Sequence, residues 1–271
     1  MLDQILQLQP LLVFELLALG TVTGFLAGLL GIGGGMLMVP FLSWILASKG
    51  FSPDITVKMA VATSLATICF TSLSSVRAHH RKQAVLWPVA LAFTPGILLG
   101  AAIGAQFAAA IPAKLLSIFF ALFLASMATQ MFMNKKPKAA RVLPQTAGMV
   151  GVGGVIGVMS SMLGAGGAFL SVPFMTRCNV PMHKAVGTSA ALGFPIALAG
   201  SLGYVWAGQQ LTNVPPGSVG YLYIPALLVI SLASVSTAPL GAHVSHKIDV
   251  APLKKTFAIS LYVLAASMLW R

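Results

Sequence analysis

Two stretches of the chain repeat a glycine cluster that is followed by Val-Pro-Phe. The first reads LLGIGGGMLMVPF at residues 29–41, and the second reads MLGAGGAFLSVPF at residues 162–174. Because glycine disfavours helix, each cluster predicts a break, with a short helix beginning directly after it at Met36 and at Ala168. A helix N-terminus presents unpaired N–H groups and a partial positive charge. The chemistry that these stretches could perform is therefore the binding of an anion by backbone groups.

A second repeated pair supplies hydroxyl groups. The segment AVATS at 60–64 is matched by AVGTS at 185–189. Ser-Pro-Asp at 52–54 predicts a helix start near residue 53, which places the first hydroxyl pair roughly 16 Å along that helix at about 1.5 Å per residue. These hydroxyls could donate to an oxyanion, or they could bond the carbonyl of the preceding turn. Their repetition beside the glycine clusters favours a binding role for Thr63, Ser64, Thr188 and Ser189.

The elements that must position these groups are membrane-spanning helices. Of the 271 residues, 58% are hydrophobic and 7% are charged, with a mean hydropathy of +0.93, whereas soluble domains carry about 25% charged residues. Two apolar pieces that follow the glycine clusters, 36–48 and 168–178, are short. Stretches long enough to span a bilayer as helix occupy 11–30, 54–76, 84–109, 113–133, 144–163, 181–206, 219–243 and 254–270. The composition predicts an all-α polytopic membrane protein and excludes a soluble domain.

The basic residues predict how the chain is oriented in the membrane. The net charge is +12, and the loops at 77–82, 134–143, 177–184 and 247–255 hold 12 of the 16 Lys and Arg residues. The positive-inside rule places these loops in the cytoplasm, whereas the uncharged loop at 208–220 should face outward. We therefore expect a multi-pass protein of the bacterial inner membrane with a cytoplasmic central linker and periplasmic N- and C-termini. The positive charge then reflects orientation, and no nucleic acid is expected as a partner.

The two halves of the chain match in order. Besides the segments above, the matched positions are Gly20 and Gly24 with Gly153 and Gly157, Pro88 with Pro225, and Gly104-Ala105-Gln106 with Gly241-Ala242-His243. The charge map brings the halves into the membrane from opposite sides, which predicts inverted-topology repeats at 8–133 and 144–270, joined by the basic linker at 134–143. Each repeat would contain a glycine-tipped broken helical hairpin plus three spans. In transporters of this design the broken helices form the substrate site near the midplane.

The predicted substrate-binding set combines the two glycine tips with the hydroxyl pairs: Gly33, Gly34, Gly35, Met36, Thr63, Ser64, Gly166, Gly167, Ala168, Phe169, Thr188 and Ser189. Five polar residues could line the vestibules or couple transport: Glu15, Lys58, Lys184, Gln106 and His243. Each of the five also has a structural explanation that stays open. Glu15 could be a polar residue at the membrane interface, the two lysines could extend toward the lipid headgroups, and Gln106 and His243 could simply lie at helix ends. Glycines spaced by four at 20–28 and 96–104 are expected to serve only close helix packing.

The segments GLLGIGGGMLMVPFL at 28–42 and SMLGAGGAFLSVPF at 161–174, together with AVATS and AVGTS, resemble the TauE/SafE family of sulfite exporters, also called TSUP permeases. The resemblance covers nearly the whole chain, including the basic linker. It implies transport of a small sulfur-containing anion, such as sulfite, thiosulfate or an organosulfonate like sulfoacetate. The chain departs from internal symmetry at Ala168, where the first repeat has Gly35, so the two walls of the site need not be equivalent.

We therefore predict a permease that moves such an anion across the bacterial inner membrane by alternating access. It is not expected to be an enzyme, to bind a metal or to need a cofactor, because the sequence has no metal-ligand spacing, nucleophile elbow or phosphate loop. Its partners would be the anion and the lipid bilayer, with a homo-oligomer left open. A passive anion channel and an intramembrane enzyme acting through Cys69 remain the alternatives. The identity of the anion, the direction of transport and proton coupling stay open.

Overall fold

The computed structural model describes residues 10–30, 35–133, 142–211, 214–245 and 250–270. Within these ranges the chain forms ten α-helices and one small antiparallel ribbon. The helices are α1 (Pro10–Leu30), α2 (Gly35–Ser48), α3 (Pro53–Arg81), α4 (Trp87–Ala110), α5 (Ala113–Met133), α6 (Thr146–Leu163), α7 (Ala168–Arg177), α8 (Met182–Ala207), α9 (Ile224–Ser245) and α10 (Val250–Leu269). The ribbon strands are β1 (Ser218–Val219) and β2 (Leu222–Tyr223), with Ser218 opposite Tyr223.

Seven helices in the described part of the chain are long and apolar enough to cross a membrane: α1, α3, α4, α5, α6, α8 and α9. The predictions of a polytopic α-helical membrane protein and of these seven spans are confirmed. The eighth predicted span coincides with α10, of which Ala258–Leu269 counts as a shorter apolar helix. The two short helices after the glycine clusters, α2 and α7, form as expected, although α2 begins at Gly35, one residue earlier than the composition predicts.

One predicted span starts too early. The apolar stretch at 219–243 is not helical throughout, because its first residues belong to the ribbon and α9 begins only at Ile224. The ribbon turn requires left-handed backbone, which Gly217 and Gly220 adopt with φ values of 83° and 58°. Apolar composition alone did not distinguish these residues from the helix that follows them.

Helices from the two halves of the chain pack across one another. Helix α1 packs against α9 and α4 packs against α6, while α3 packs against α8 and α5 packs against α10. If each helix is replaced by its counterpart in the other half, the α1–α9 pair becomes the α6–α4 pair. The α3–α8 and α5–α10 pairs stay the same. Glycines make the close contacts, as expected for the four-residue spacing. A Cβ at Gly20 would lie 2.7 Å from the carbonyl oxygen of Ile230 on α9, and one at Gly100 would overlap the carbonyl oxygen of Gly154 on α6.

The centre of the protein is formed by α3 and the start of α2. Every residue from Thr56 to Ile68 on α3 is buried, and so is every residue from Gly35 to Pro40 on α2. A helix segment that is buried on all sides must be surrounded by other helices rather than by lipid. The predicted site residues on α2 and α3 therefore lie inside the protein.

Candidate anion-binding site

The turn between α6 and α7, residues 164–167, is formed by two glycines in left-handed conformation. Gly164 has φ 60° at the C-terminus of α6, and its N–H donates to the carbonyl of Ser160. Gly167 has φ 76° and is the N-cap residue of α7. Residues with a Cβ rarely adopt this conformation, so both positions favour glycine. The helix break predicted from the second glycine cluster is therefore present, and we call residues 164–167 the second turn.

The second turn leaves N–H donors free at the start of α7. The carbonyl of Gly167 accepts the N–H of Leu170 at 3.0 Å and the N–H of Ser171 at 2.9 Å, which are the first bonds of the helix. Within the described ranges, the N–H groups of residues 166–169 make no backbone hydrogen bond. Because α7 has ten residues, its partial positive charge adds to these donors at the same end. The start of α7 can therefore bind an anion.

The start of α2 contacts the second turn. A Cβ at Gly35 would overlap the carbonyl oxygen of Gly164 and lie 3.0 Å from the Cα of Ala165. A Cβ at Gly164 would in turn lie 2.7 Å from Cγ2 of Val39 on α2. Only a residue without a side chain fits at this contact. Met36 is buried beside it, whereas Gly33 and Gly34 lie outside the described residues.

The two predicted threonines each accept a hydrogen bond from an N–H group near the start of a helix in the other half. Thr63 on α3 accepts the N–H of Tyr223 at 3.1 Å, directly before α9. Thr188 on α8 accepts the N–H of Leu86 at 2.9 Å, directly before α4. These bonds satisfy amides that a helix start otherwise leaves unpaired. The threonines therefore cap α9 and α4 through their hydroxyl oxygens, and the O–H group of each can still donate a hydrogen bond.

The two predicted serines form hydrogen bonds with the second turn and with the helix that follows it. The Ser64 hydroxyl on α3 donates to the carbonyl of Gly164 at 2.8 Å. The Ser189 hydroxyl on α8 shares a hydrogen bond of 2.6 Å with the hydroxyl of Ser171 on α7. Ser64 thus ties α3 to the turn, and Ser189 ties α8 to the helix that follows it. All four hydroxyls predicted to complete the anion shell have protein partners.

Sequence reasoning assigned no binding role to Ser160, on the last turn of α6. Its hydroxyl is fully buried and has no hydrogen-bond partner among the described residues. A Cβ at Gly167 would lie 3.1 Å from this hydroxyl oxygen, so the Ser160 side chain faces the N-cap of α7. The serine pair at 160–161 was the available signal, but periodicity could not show which of the two faces the turn.

Lys58 lies on α3, one turn before Thr63, and its side chain is fixed inside the protein. Its ammonium donates to the carbonyl of Ala109 at 2.6 Å, in the last turn of α4, and lies 5.8 Å from the ring centroid of Tyr221. Burial raises the pKa of the Tyr221 phenol, so this ring stays neutral beside the cation. Lys58 therefore satisfies a carbonyl at a helix C-terminus, and the snorkelling considered from the sequence is not observed.

The other polar candidates belong to helices that do not include the second turn. Glu15 on α1 forms an ion pair of 3.5 Å with Lys49 at the end of α2. Gln106 on α4 donates to the carbonyl of Gly203 on α8 at 2.9 Å. Lys184 is half-buried in the first turn of α8. His243 belongs to α9, but its side chain lies outside the described residues.

Comparison with known proteins identifies related membrane proteins. The sequence profile described as "Sulfite exporter TauE/SafE" matches residues 16–268. The chain belongs to the TauE/SafE family. A "Probable membrane transporter protein" of Haemophilus influenzae is 34% identical over 253 residues, which cover 93% of this chain and 96% of that relative. A protein of Methanocaldococcus jannaschii with the same description is 27% identical and covers 98% of this chain and 97% of its own length. No solved structure matches the chain significantly.

These findings confirm the resemblance and make the chain a membrane transporter of the TauE/SafE type. In this transporter the second turn is buried. Lys58 is the one charged residue that is buried in the described part of the chain, and its ammonium is occupied. In the same ranges no three His, Cys, Asp or Glu residues come together to hold a metal ion. The Cys69 thiol is half-buried on α3 and forms no disulfide.

Proposed function

We propose that this TauE/SafE protein is a permease of the bacterial inner membrane that moves a small sulfur-containing anion, such as sulfite, thiosulfate or a sulfonate like sulfoacetate. The observation that carries the proposal is the buried second turn, where the N–H groups of residues 166–169 at the start of α7 make no backbone hydrogen bond to a described residue. Unpaired N–H donors at a helix N-terminus favour an oxyanion over a cation.

The proposal places the anion between two inverted repeats, 8–133 and 144–270, joined by the cytoplasmic linker at 134–143. Two features support equivalent halves. The packing of α1 on α9 is matched by that of α4 on α6. In addition, Thr63 caps α9 and Thr188 caps α4, and each capped amide precedes the matched proline, Pro225 or Pro88, by two residues. Rocking of one half against the other would then expose the site alternately to the two sides of the membrane.

In this proposal backbone groups bind the anion, and the hydroxyls of Thr63, Ser64, Thr188 and Ser189 hold the surrounding elements in place. Glycine at position 35 lets α2 approach the second turn closely enough to form the opposite wall. Gly33 and Gly34 remain predicted members of the same site. Basic loops support a cytoplasmic linker and periplasmic termini.

The experiment is uptake into proteoliposomes that contain the purified full-length protein, with sulfite, thiosulfate, sulfoacetate and sulfate compared with and without a proton gradient. We expect saturable uptake of at least one of the sulfur anions, and a response to the gradient would show proton coupling. Uptake that rises linearly with concentration would favour the passive channel. Absence of uptake for all four anions would contradict the proposed substrate class.

A matched pair of variants connects the flux to the site. A Cβ at Gly167 would lie 2.5 Å from Cδ1 of Ile196 on left-handed backbone, whereas Gly151 on α6 has open space around it. We expect Gly167→Ala to reduce uptake by at least about tenfold, the scale of a misplaced binding group, and Gly151→Ala to leave it unchanged. Equal uptake by both variants would remove the second turn from the proposal.

A further inference from the structure

One buried hydroxyl near the second turn makes no hydrogen bond to any described residue. Ser160 Oγ is inaccessible to solvent and lacks a hydrogen-bond partner among the described residues. Its neighbour Ser161 is equally buried, but the Ser161 hydroxyl donates to the carbonyl of Val158 at 3.0 Å. A buried hydroxyl without a partner is costly, and native proteins retain few such groups without a reason.

The unpartnered hydroxyl faces the end of α7 that carries the free N–H groups. Ser160 Oγ would lie 3.1 Å from a Cβ at Gly167, the N-cap residue of α7. The side-chain donor therefore lies next to Gly167, one of the residues whose N–H groups make no backbone hydrogen bond within the described ranges. These are two independent observations, because Ser160 belongs to α6 and its burial does not depend on where α7 begins.

The walls of this region are apolar. Apart from the Ser160 hydroxyl, the atoms closest to a Cβ at Gly167 are Cδ1 of Ile196 and Cγ2 of Ile156. The atom closest to a Cβ at Gly166 is Cγ2 of Ile68. The one charged residue that is buried in the described ranges, Lys58, is held by α4. A ligand here would receive hydrogen bonds and a partial charge of about one half from the helix, but no full positive charge.

We propose that Ser160 donates a hydrogen bond to a singly charged oxyanion at the start of α7, and that this site selects monoanions over dianions. The inference rests on the proposed function and adds the contacting side chain and the charge class of the substrate. Burial of a second negative charge without a paired cation is strongly unfavourable. Hydrogensulfite and singly charged sulfonates such as methanesulfonate should therefore be preferred over the dianions sulfate, thiosulfate and sulfoacetate.

The hydroxyl is present in only one half of the chain. In the alignment that matches Gly20 and Gly24 with Gly153 and Gly157, Ser160 corresponds to Ala27 on α1. The first half also has Gly35 where the second has Ala168. The side-chain contact to the anion therefore comes from the second half alone, and the two walls of the site are not equivalent.

The test compares Ser160→Ala with Ser161→Ala in the full-length protein. Without anion, Ser160→Ala should unfold at the same temperature as the wild type or higher, because it removes an unpaired buried hydroxyl. With methanesulfonate, which is singly charged, the wild type and Ser161→Ala should be stabilised against heat at the same anion concentration. Ser160→Ala should need at least about tenfold more methanesulfonate for the same stabilisation and for half-maximal uptake.

The outcomes separate the inference from the proposed function. Wild-type uptake with an unchanged half-saturation concentration in Ser160→Ala would overturn the inference and leave the permease intact. Sulfate that competes as well as methanesulfonate would overturn the selection of monoanions. Absence of both uptake and anion-dependent stabilisation in the wild type would overturn the proposed function itself, and the inference with it. A lower unfolding temperature of anion-free Ser160→Ala would show that Ser160 has a structural role instead.

Discussion

Replacement of Ser64 by alanine should weaken the attachment of α3 to the second turn. The Ser64 hydroxyl donates to the carbonyl of Gly164 at 2.8 Å, and both residues are buried. Within the described ranges no backbone N–H donates to this carbonyl. The variant therefore removes the donor and leaves a buried acceptor unpaired.

The magnitude follows from that unpaired acceptor. Hydrogen bonds between membrane helices contribute about 0.6 kcal/mol on average, but an unsatisfied buried group costs roughly 1–3 kcal/mol. We expect Ser64→Ala to lower the free energy of unfolding within the second range, because the lost partner cannot be replaced by water inside the protein. The assay is unfolding of the purified protein in mixed detergent and denaturing surfactant, followed by tryptophan fluorescence.

Ser43→Ala provides the matched control. Ser43 on α2 is also buried, but its hydroxyl donates to the carbonyl of Pro40 in the same helix at 2.8 Å. Loss of such a bond within a helix leaves no tertiary contact broken, so the free energy of unfolding should fall much less than in Ser64→Ala. Equal destabilisation by the two variants would refute the idea that Ser64 holds the second turn.

Three further predictions concern the framework around the site. Lys58→Met should lower the free energy of unfolding by about 1.5–3 kcal/mol, because the carbonyl in the last turn of α4 loses its charged donor. The half-saturation concentration for uptake should not change. Weaker anion affinity at unchanged stability would instead show that Lys58 recruits the anion. Thr188→Val should lower the free energy of unfolding by about 1–3 kcal/mol, because the amide before α4 loses its acceptor. An unchanged free energy of unfolding in the same surfactant titration would contradict the capping role. Gly100→Leu should abolish the peak of correctly folded protein in size-exclusion chromatography, because the new side chain would overlap the backbone of α6. Gly151→Leu faces open space and should elute normally. Normal elution of both variants would contradict the tight packing of α4 on α6.

The helix break at 164–167 and the spans were predictable because they depend on local chemistry. Gly164 and Gly167 both adopt positive φ, a conformation that the glycine cluster itself favours. Apolar length marked the spans in the same local way. The start of α3 at Pro53 followed from the proline at a first helical position. The ribbon at 218–223 was missed because its residues are as apolar as those of α9.

The partners of the hydroxyls were not predictable, because they lie far away in the sequence. Thr63 bonds an amide 160 positions later, and Ser64 bonds a carbonyl 100 positions later. Such contacts arise only when α3 is packed against elements of the other half. For the same reason the sequence could not show that Ser160 faces the second turn while Ser161 bonds within its own helix.

The central claim is that an oxyanion binds at the start of α7. The most direct measurement is a crystal structure of the full-length protein soaked with the selenium analogue of the transported anion, located by its anomalous scattering. We predict a peak within hydrogen-bonding distance of the N–H groups of residues 166–169 and of the Ser160 hydroxyl. A peak beside Lys58 or in the basic loops, with none at the second turn, would contradict the account.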